Sequence, residues 1–167
     1  MDYFFFGTLM DREVLELVIG RRIEDAAIRP AHLDGYRLLR AADDPYPALV
    51  PAPGSRVRGI VVSGLDAAAV ARLEWFEGTE YRARPVEVAF ADGARATALI
   101  QSPTEALDVG EADWTLAGWT REEKPLLLAL TRAHMALMGR VGLEEAIRRW
   151  DALRETLVAK ARKKGRK

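Results

Sequence analysis

Residues 3–6 read Tyr-Phe-Phe-Phe, four aromatic side chains in succession, and Gly7 follows at once. Successive side chains of a strand point to opposite faces, so a strand without a polar position has to be covered on both sides. A chain that opens this way is committed to a core that encloses its first strand. Gly7-Thr8 ends the run, and from Leu9 the spacing changes. Asp11 is placed as an N-cap, Val14, Leu15, Leu17 and Val18 recur at helical spacing, and Gly20 closes the segment. The chain begins strand, tight loop, helix.

Strand signals dominate as far as residue 101. The stretch from Ile23 to Leu39 predicts strands broken at Pro30 and by a hairpin at Asp34-Gly35. Prolines at 45, 47, 51 and 53 predict a stiff, extended, turn-rich segment around Tyr46 and Leu49. Val57 to Val62 reads as a central strand, with Gly59 where another backbone comes close. Asp66 caps a helix whose Ala67, Val70, Ala71 and Leu73 share a face, and Glu77 ends it before Gly78. Strands at 84–90 and 94–101 follow, joined by a hairpin at Asp92-Gly93. Beyond Pro103 an acidic linker runs to Asp113, and helical patterns occupy 115–138 and 143–160. Pro125 removes a helical hydrogen bond and requires a kink or a new helix beginning near Arg121. The expected class is α+β: a core at 1–103, a helical extension packed on it at 104–160, and a basic, flexible tail at 161–167.

Composition narrows the chemistry. With 25 basic and 25 acidic residues the net charge is zero, so no global field holds the chain on nucleic acid or on an anionic membrane. Lys163, Lys164, Arg166 and Lys167 form a local basic cluster, read as a solubilising tail, and nucleic acid is not an expected partner. The absence of cysteine removes disulfides, thiolate nucleophiles and thiolate metal sites together. His32 and His134 lack the spacing of a zinc site, so neither a metal nor another cofactor is expected. No segment approaches the roughly 20 apolar residues of a membrane helix, so no membrane association is expected, and a cytoplasmic location is the default.

Two places can carry chemistry. Gly7-Thr8-Leu9, between a buried strand and a helix, offers backbone N–H groups able to hold a carboxylate or a developing oxyanion. The same tripeptide also reads as an ordinary strand-to-helix turn. Glu77 lies between Phe76 and Gly78, a setting that can bury its carboxylate and raise its pKa towards neutrality. Its plain reading is a surface glutamate at a helix end, flanked by Glu74 and Glu80. Tyr81 reads as a half-buried strand residue or a cavity wall, Arg82 as a solvated charge or a carboxylate partner. Trp114 and Trp119, in the helical extension, and His134, on a helix, read as packing residues and His32 as a strand residue.

The combination is more specific than its parts. Phe6-Gly7-Thr8-Leu9, Asp34-Gly35-Tyr36, Tyr46-Pro47-Ala48-Leu49-Val50-Pro51, Val57-Arg58-Gly59 and the block from Leu73 through Phe76-Glu77-Gly78 to Tyr81-Arg82-Ala83-Arg84 follow in order. Together they resemble the gamma-glutamylcyclotransferase-like family, including its plant avirulence-induced branch, over Tyr3 to Gln101. The resemblance implies a small mixed β-barrel with flanking helices around a polar cavity. It implies that Phe6, Gly7, Thr8 and Leu9 bind the glutamyl part of a small-molecule γ-glutamyl substrate, with Tyr81 lining the cavity, and that Glu77 is the catalytic acid/base. The implied reaction is intramolecular cyclisation of a γ-glutamyl group to 5-oxoproline with release of an amine or amino acid; the alternative is a noncatalytic small-molecule-binding module of the same fold. Phe6 stands where many relatives carry tyrosine, and Leu73-Glu74-Trp75 where relatives often have Leu-Asp. Glu74 is read as structural. Neither the substrate nor the oligomeric state is legible in the chain.

Overall fold

The first strand, β1 (Tyr3–Phe5), is buried at every position and joins two separate cores. In the computed structural model, which describes residues 1–42, 46–79, 81–105 and 108–164, both edges of β1 are paired. It runs antiparallel to β3 (Pro47–Val62) and parallel to β5 (Arg95–Pro103). β5 pairs antiparallel with β4 (Tyr81–Phe90), β4 with β2 (Ile28–Ala41), and β2 with β3 along most of its length. These five strands close a mixed barrel, and a sixth, β6 (Val109–Asp113), adds to the outer edge of β2.

Alternation of side chains along β1 divides the interior. Phe4 points into the barrel with Ala31, Leu33, Val61, Val88, Phe90, Ala98 and Ile100, drawn from all five strands. Tyr3 and Phe5 point out, against α1 (Arg12–Ile19) and α2 (Ala67–Glu77), where Val14, Leu15, Val18, Val70 and Leu73 complete the second core. α1 is capped as its sequence predicts, with the Asp11 carboxylate accepting from the N–H groups of Glu13 and Val14 and Gly20 left-handed at its end. Asp66 caps α2 in the same way through the Ala69 N–H.

Four expectations are corrected. Asp34-Gly35 makes no hairpin: β2 runs unbroken from Ile28 to Ala41, because both flanks of Gly35 pair with β3 and its positive φ of 81° serves a bulge between Asp34 and Tyr36. Pro30 is accommodated near the start of the strand, ahead of the pairing with β4 that begins at Ala31. The proline-rich segment is extended as expected, but from Pro47 it is part of β3; Pro45 lies outside the described residues. The stretch read as an acidic linker holds β6, an exposed strand fixed by backbone bonds to β2 rather than by an apolar face, which is why no hydrophobic pattern announces it.

The helices after β6 follow the proline. α3 (Leu116–Glu122) stops before Glu123, and α4 (Lys124–Met135) starts with Pro125 in its first turn, where a missing N–H removes no intrahelical bond. Lys124 reaches back to Asp11 with its ammonium 2.8 Å from the carboxylate, and both side chains are largely shielded. α5 (Leu143–Lys164) continues past residue 160, so the start of the expected tail is helical; 165–167 lie outside the described residues.

Gly59 marks where β3 and β1 are closest. A Cβ there would stand 2.4 Å from the Phe5 carbonyl oxygen and 2.5 Å from the Phe4 ring, neither of which can withdraw without opening the barrel. Gly59→Ala is therefore expected to destabilise the chain by about 1–3 kcal/mol, the range for overpacking a filled core, measured by urea unfolding.

Candidate active site

The chain leaving β1 turns sharply. Gly7 lies opposite Pro47, whose ring carbon would be 2.7 Å from a Cβ at this position, and a single turn of 3-10 helix follows over Thr8–Met10. The N–H groups of Met10 and Asp11 close that turn on the carbonyls of Gly7 and Thr8. Those of Gly7, Thr8 and Leu9 precede the first closed turn, and no hydrogen bond among the described residues engages them. Three amides in sequence are thus available to an anion.

Glu77 is the last residue of α2. Gly78 takes φ 71° and ψ −156°, a conformation that favours glycine, and redirects the chain towards Tyr81 at the start of β4. Among the described residues Arg82 binds no carboxylate; its guanidinium donates to the carbonyls of Thr79 at 3.1 Å and Tyr81 at 2.8 Å, clasping the turn. Burial pushes the Glu77 carboxyl up to about 7, with no neighbouring charge or hydrogen bond among the described residues contributing. The negative end of the helix dipole acts in the same direction.

One cavity of about 360 Å³ has Phe6, Gly7, Thr8, Leu9, Glu77 and Tyr81 in its wall, all six residues singled out from the sequence. A second, of about 400 Å³, shares Glu77, Gly78, Thr79, Tyr81 and Gln101 with the first, so Glu77 stands on the partition between them. Leu9 belongs to the outer core as well, which leaves its backbone as the polar contribution. Among the described residues no cluster of His, Asp and Glu could hold a metal ion, and no helix is long and apolar enough to cross a membrane.

Several wall residues were not singled out for this cavity. Gln101, at a buried position near the end of β5, has a side-chain N–H group without a partner among the described residues; a polar side chain on a buried face was its only signal. His134 of α4 and Trp150, Asp151 and Arg154 of α5 come from the far end of the chain. Their helical spacing reads as packing, and only the return of α4 and α5 over the barrel mouth makes them wall. Trp114 and Trp119 do pack as expected, buried with ring centroids 6.4 Å apart, and His32 lies in β2.

Comparison with known proteins fits this architecture. The chain is similar to AIG2-like protein B of Arabidopsis thaliana, 26% identical over 123 residues that cover 72% of this chain and 69% of that one. It is 30% identical to Protein AIG2 A of the same plant over 92 residues, 54% of this chain and about half (52%) of the relative. Among solved structures, an Arabidopsis thaliana protein determined in solution superposes with a TM-score of 0.56 at 24% identity, covering 83% of this chain and 92% of that one. A structure described as gamma-glutamyl cyclotransferase superposes with a TM-score of 0.53 at 20% identity, over 65% and 68% of the two chains. At these identities the likeness concerns the fold. The sequence pattern of the family described as "Gamma-glutamyl cyclotransferase, AIG2-like" matches residues 3–116, and the chain belongs to that family.

Proposed function

We propose that the chain is a gamma-glutamylcyclotransferase-type enzyme that converts the γ-glutamyl group of a small molecule to 5-oxoproline and releases an amine or amino acid. The observation that carries this reading is a carboxyl group raised to about 7, with no bound counter-charge among the described residues, in the same cavity wall as three unengaged amides. A proton shuttle works best when its pKa lies near the working pH. Nucleophile and electrophile belong to one substrate, so ring closure needs orientation and proton transfer but no covalent enzyme intermediate.

In this mechanism the ionised Glu77 takes a proton from the substrate's α-ammonium. The freed amine attacks the γ-carbonyl carbon, forming the ring C–N bond and placing negative charge on the carbonyl oxygen. As the bond to the departing nitrogen breaks, protonated Glu77 gives that nitrogen its proton, the positively charged ring nitrogen gives up its surplus proton to the departing amine, which leaves as an ammonium, and Glu77 is again ionised for another turnover. The amides of Gly7, Thr8 and Leu9 are suited to the α-carboxylate or to the oxyanion. Phe6 brings no hydroxyl to this site, and Tyr81 lines the same space.

Incubation of the purified chain with a panel of γ-glutamyl amines and dipeptides should yield 5-oxoproline. Glu77→Gln should lower kcat by about 10² to 10⁴, the usual contribution of a general acid/base. Undiminished turnover in Glu77→Gln would remove this mechanism, and absence of 5-oxoproline with retained binding would identify a noncatalytic module. Since the base must be ionised, kcat/KM should fall as the pH drops below about 7.

The buried carboxyl also leaves a signature that needs no substrate. Folded Glu77 keeps its proton up to about 7, whereas the unfolded residue releases it near 4.5. The folded state therefore binds more protons between those values, and stability is lost as the pH rises through that window. Glu77→Gln should abolish this slope and be the more stable form at pH 8, by up to about 3 kcal/mol, in urea unfolding across pH.

A further inference from the structure

His134 belongs to α4, beyond the residues 3–116 that match the family. It is only 4% exposed, and among the described residues its ring makes one hydrogen bond, with Nε2 3.1 Å from the carbonyl oxygen of Trp75. A carbonyl oxygen only accepts, so Nε2 carries the hydrogen and donates it. In return the Trp75 indole N–H donates to the His134 carbonyl at 3.3 Å. The last turn of α2 is thereby tied twice to α4, two residues before Glu77.

The bond to the Trp75 carbonyl is one that α2 lacks by itself. The last four carbonyls of a helix have no intrahelical partner; Gly78 N–H takes the carbonyl of Glu74, and among the described residues only the imidazole takes that of Trp75. Trp150 of α5 completes the clamp, its ring edge-on to His134 at 5.5 Å and to Phe76 at 6.2 Å. Both residues preceding Glu77 are held from the C-terminal helices, where an unrestrained helix end would fray.

We propose that His134 is a positioning residue for Glu77: by donating from Nε2 to the Trp75 carbonyl it locks the last turn of α2 and fixes the Glu77 carboxylate at the cavity wall. The inference rests on the role proposed above for Glu77, and it assigns to α4 and α5 a part in the site rather than in packing alone.

The test compares His134→Gln, whose amide nitrogen reaches about as far as Nε2, with His134→Asn, whose amide stops at the depth of Nδ1. Both are made in the full chain and assayed with the γ-glutamyl dipeptide of the panel that turns over fastest. His134→Asn should lose roughly 10- to 100-fold in kcat with KM almost unchanged, the size of effect expected from slight misplacement of a catalytic group. His134→Gln should stay within about threefold of the unmodified chain. Carbon-13 NMR of the Glu77 carboxyl supplies a readout independent of turnover. Its midpoint should move down from about 7 in His134→Asn, as water reaches a loosened turn, and remain in place in His134→Gln. Tyr81, Asp151 and Arg154 on the first cavity and Glu74 and Arg82 on the second are unchanged in both variants.

Equal behaviour of the Asn and Gln variants, or a loss confined to KM, would overturn the proposal. Trp75→Phe removes the reciprocal N–H and leaves the carbonyl bond, so a fall as large as in His134→Asn would assign the effect to general packing instead. Full activity in Glu77→Gln would defeat the catalytic reading alone, and the NMR comparison would still report whether His134 holds the carboxylate.

Discussion

The burial of β1 on both faces is the constraint from which the rest of the molecule follows. Phe4 needs a barrel lumen and Tyr3 and Phe5 need helices outside it, so a strand of three residues requires both cores at once. Pairing with β3 and β5 closes the sheet around that strand and leaves it no open edge. Gly59 permits the close approach of β3 to β1. The same strand delivers Phe6 to Leu9 to the cavity, so the amides of that loop are placed by the most deeply anchored segment of the fold.

Glu77 comes to the cavity by a different route. α2 packs Val70 and Leu73 on the outer core, which fixes the helix axis and brings its last residue to the barrel mouth. A carboxylate at a helix C-terminus, in a setting that raises its pKa by burial, is unfavourable on two counts. Such local cost without a structural return is characteristic of residues that do chemistry. The turn that carries it is correspondingly well secured: Arg82 clasps the following loop, and Trp75 and Phe76 are held by His134 and Trp150.

Local patterns were sufficient where one interaction dominated. The caps at Asp11 and Asp66, the glycines ending α1 and α2 and the Asp92-Gly93 turn depend on neighbouring residues, and the structure has each of them; a new helix at Pro125 is also there, but it starts at Lys124, and Arg121, where its start was expected, lies inside α3. Local patterns failed where the partner was distant. Asp34-Gly35 has the chemistry of a hairpin, yet β3 pairs with both of its flanks and turns the glycine into a bulge. β6 has no apolar face to recognise because backbone bonds to β2 hold it.

From residue order alone came a chain with an enclosed first strand, no thiol chemistry, and a Gly7 loop and a Glu77 that resemble a known pair of functional elements. Those properties reside in residue types and short spacings. Only the tertiary structure decided that the loop and the carboxylate share a wall, that the Glu77 proton is held up to about 7, and that α4 and α5 close over them with His134 and Trp150. The reason is physical: burial, and the pKa it shifts, depend on what surrounds a side chain, and the cavity that Glu77 lines draws its wall from Phe4 at one end of the chain to Arg154 near the other.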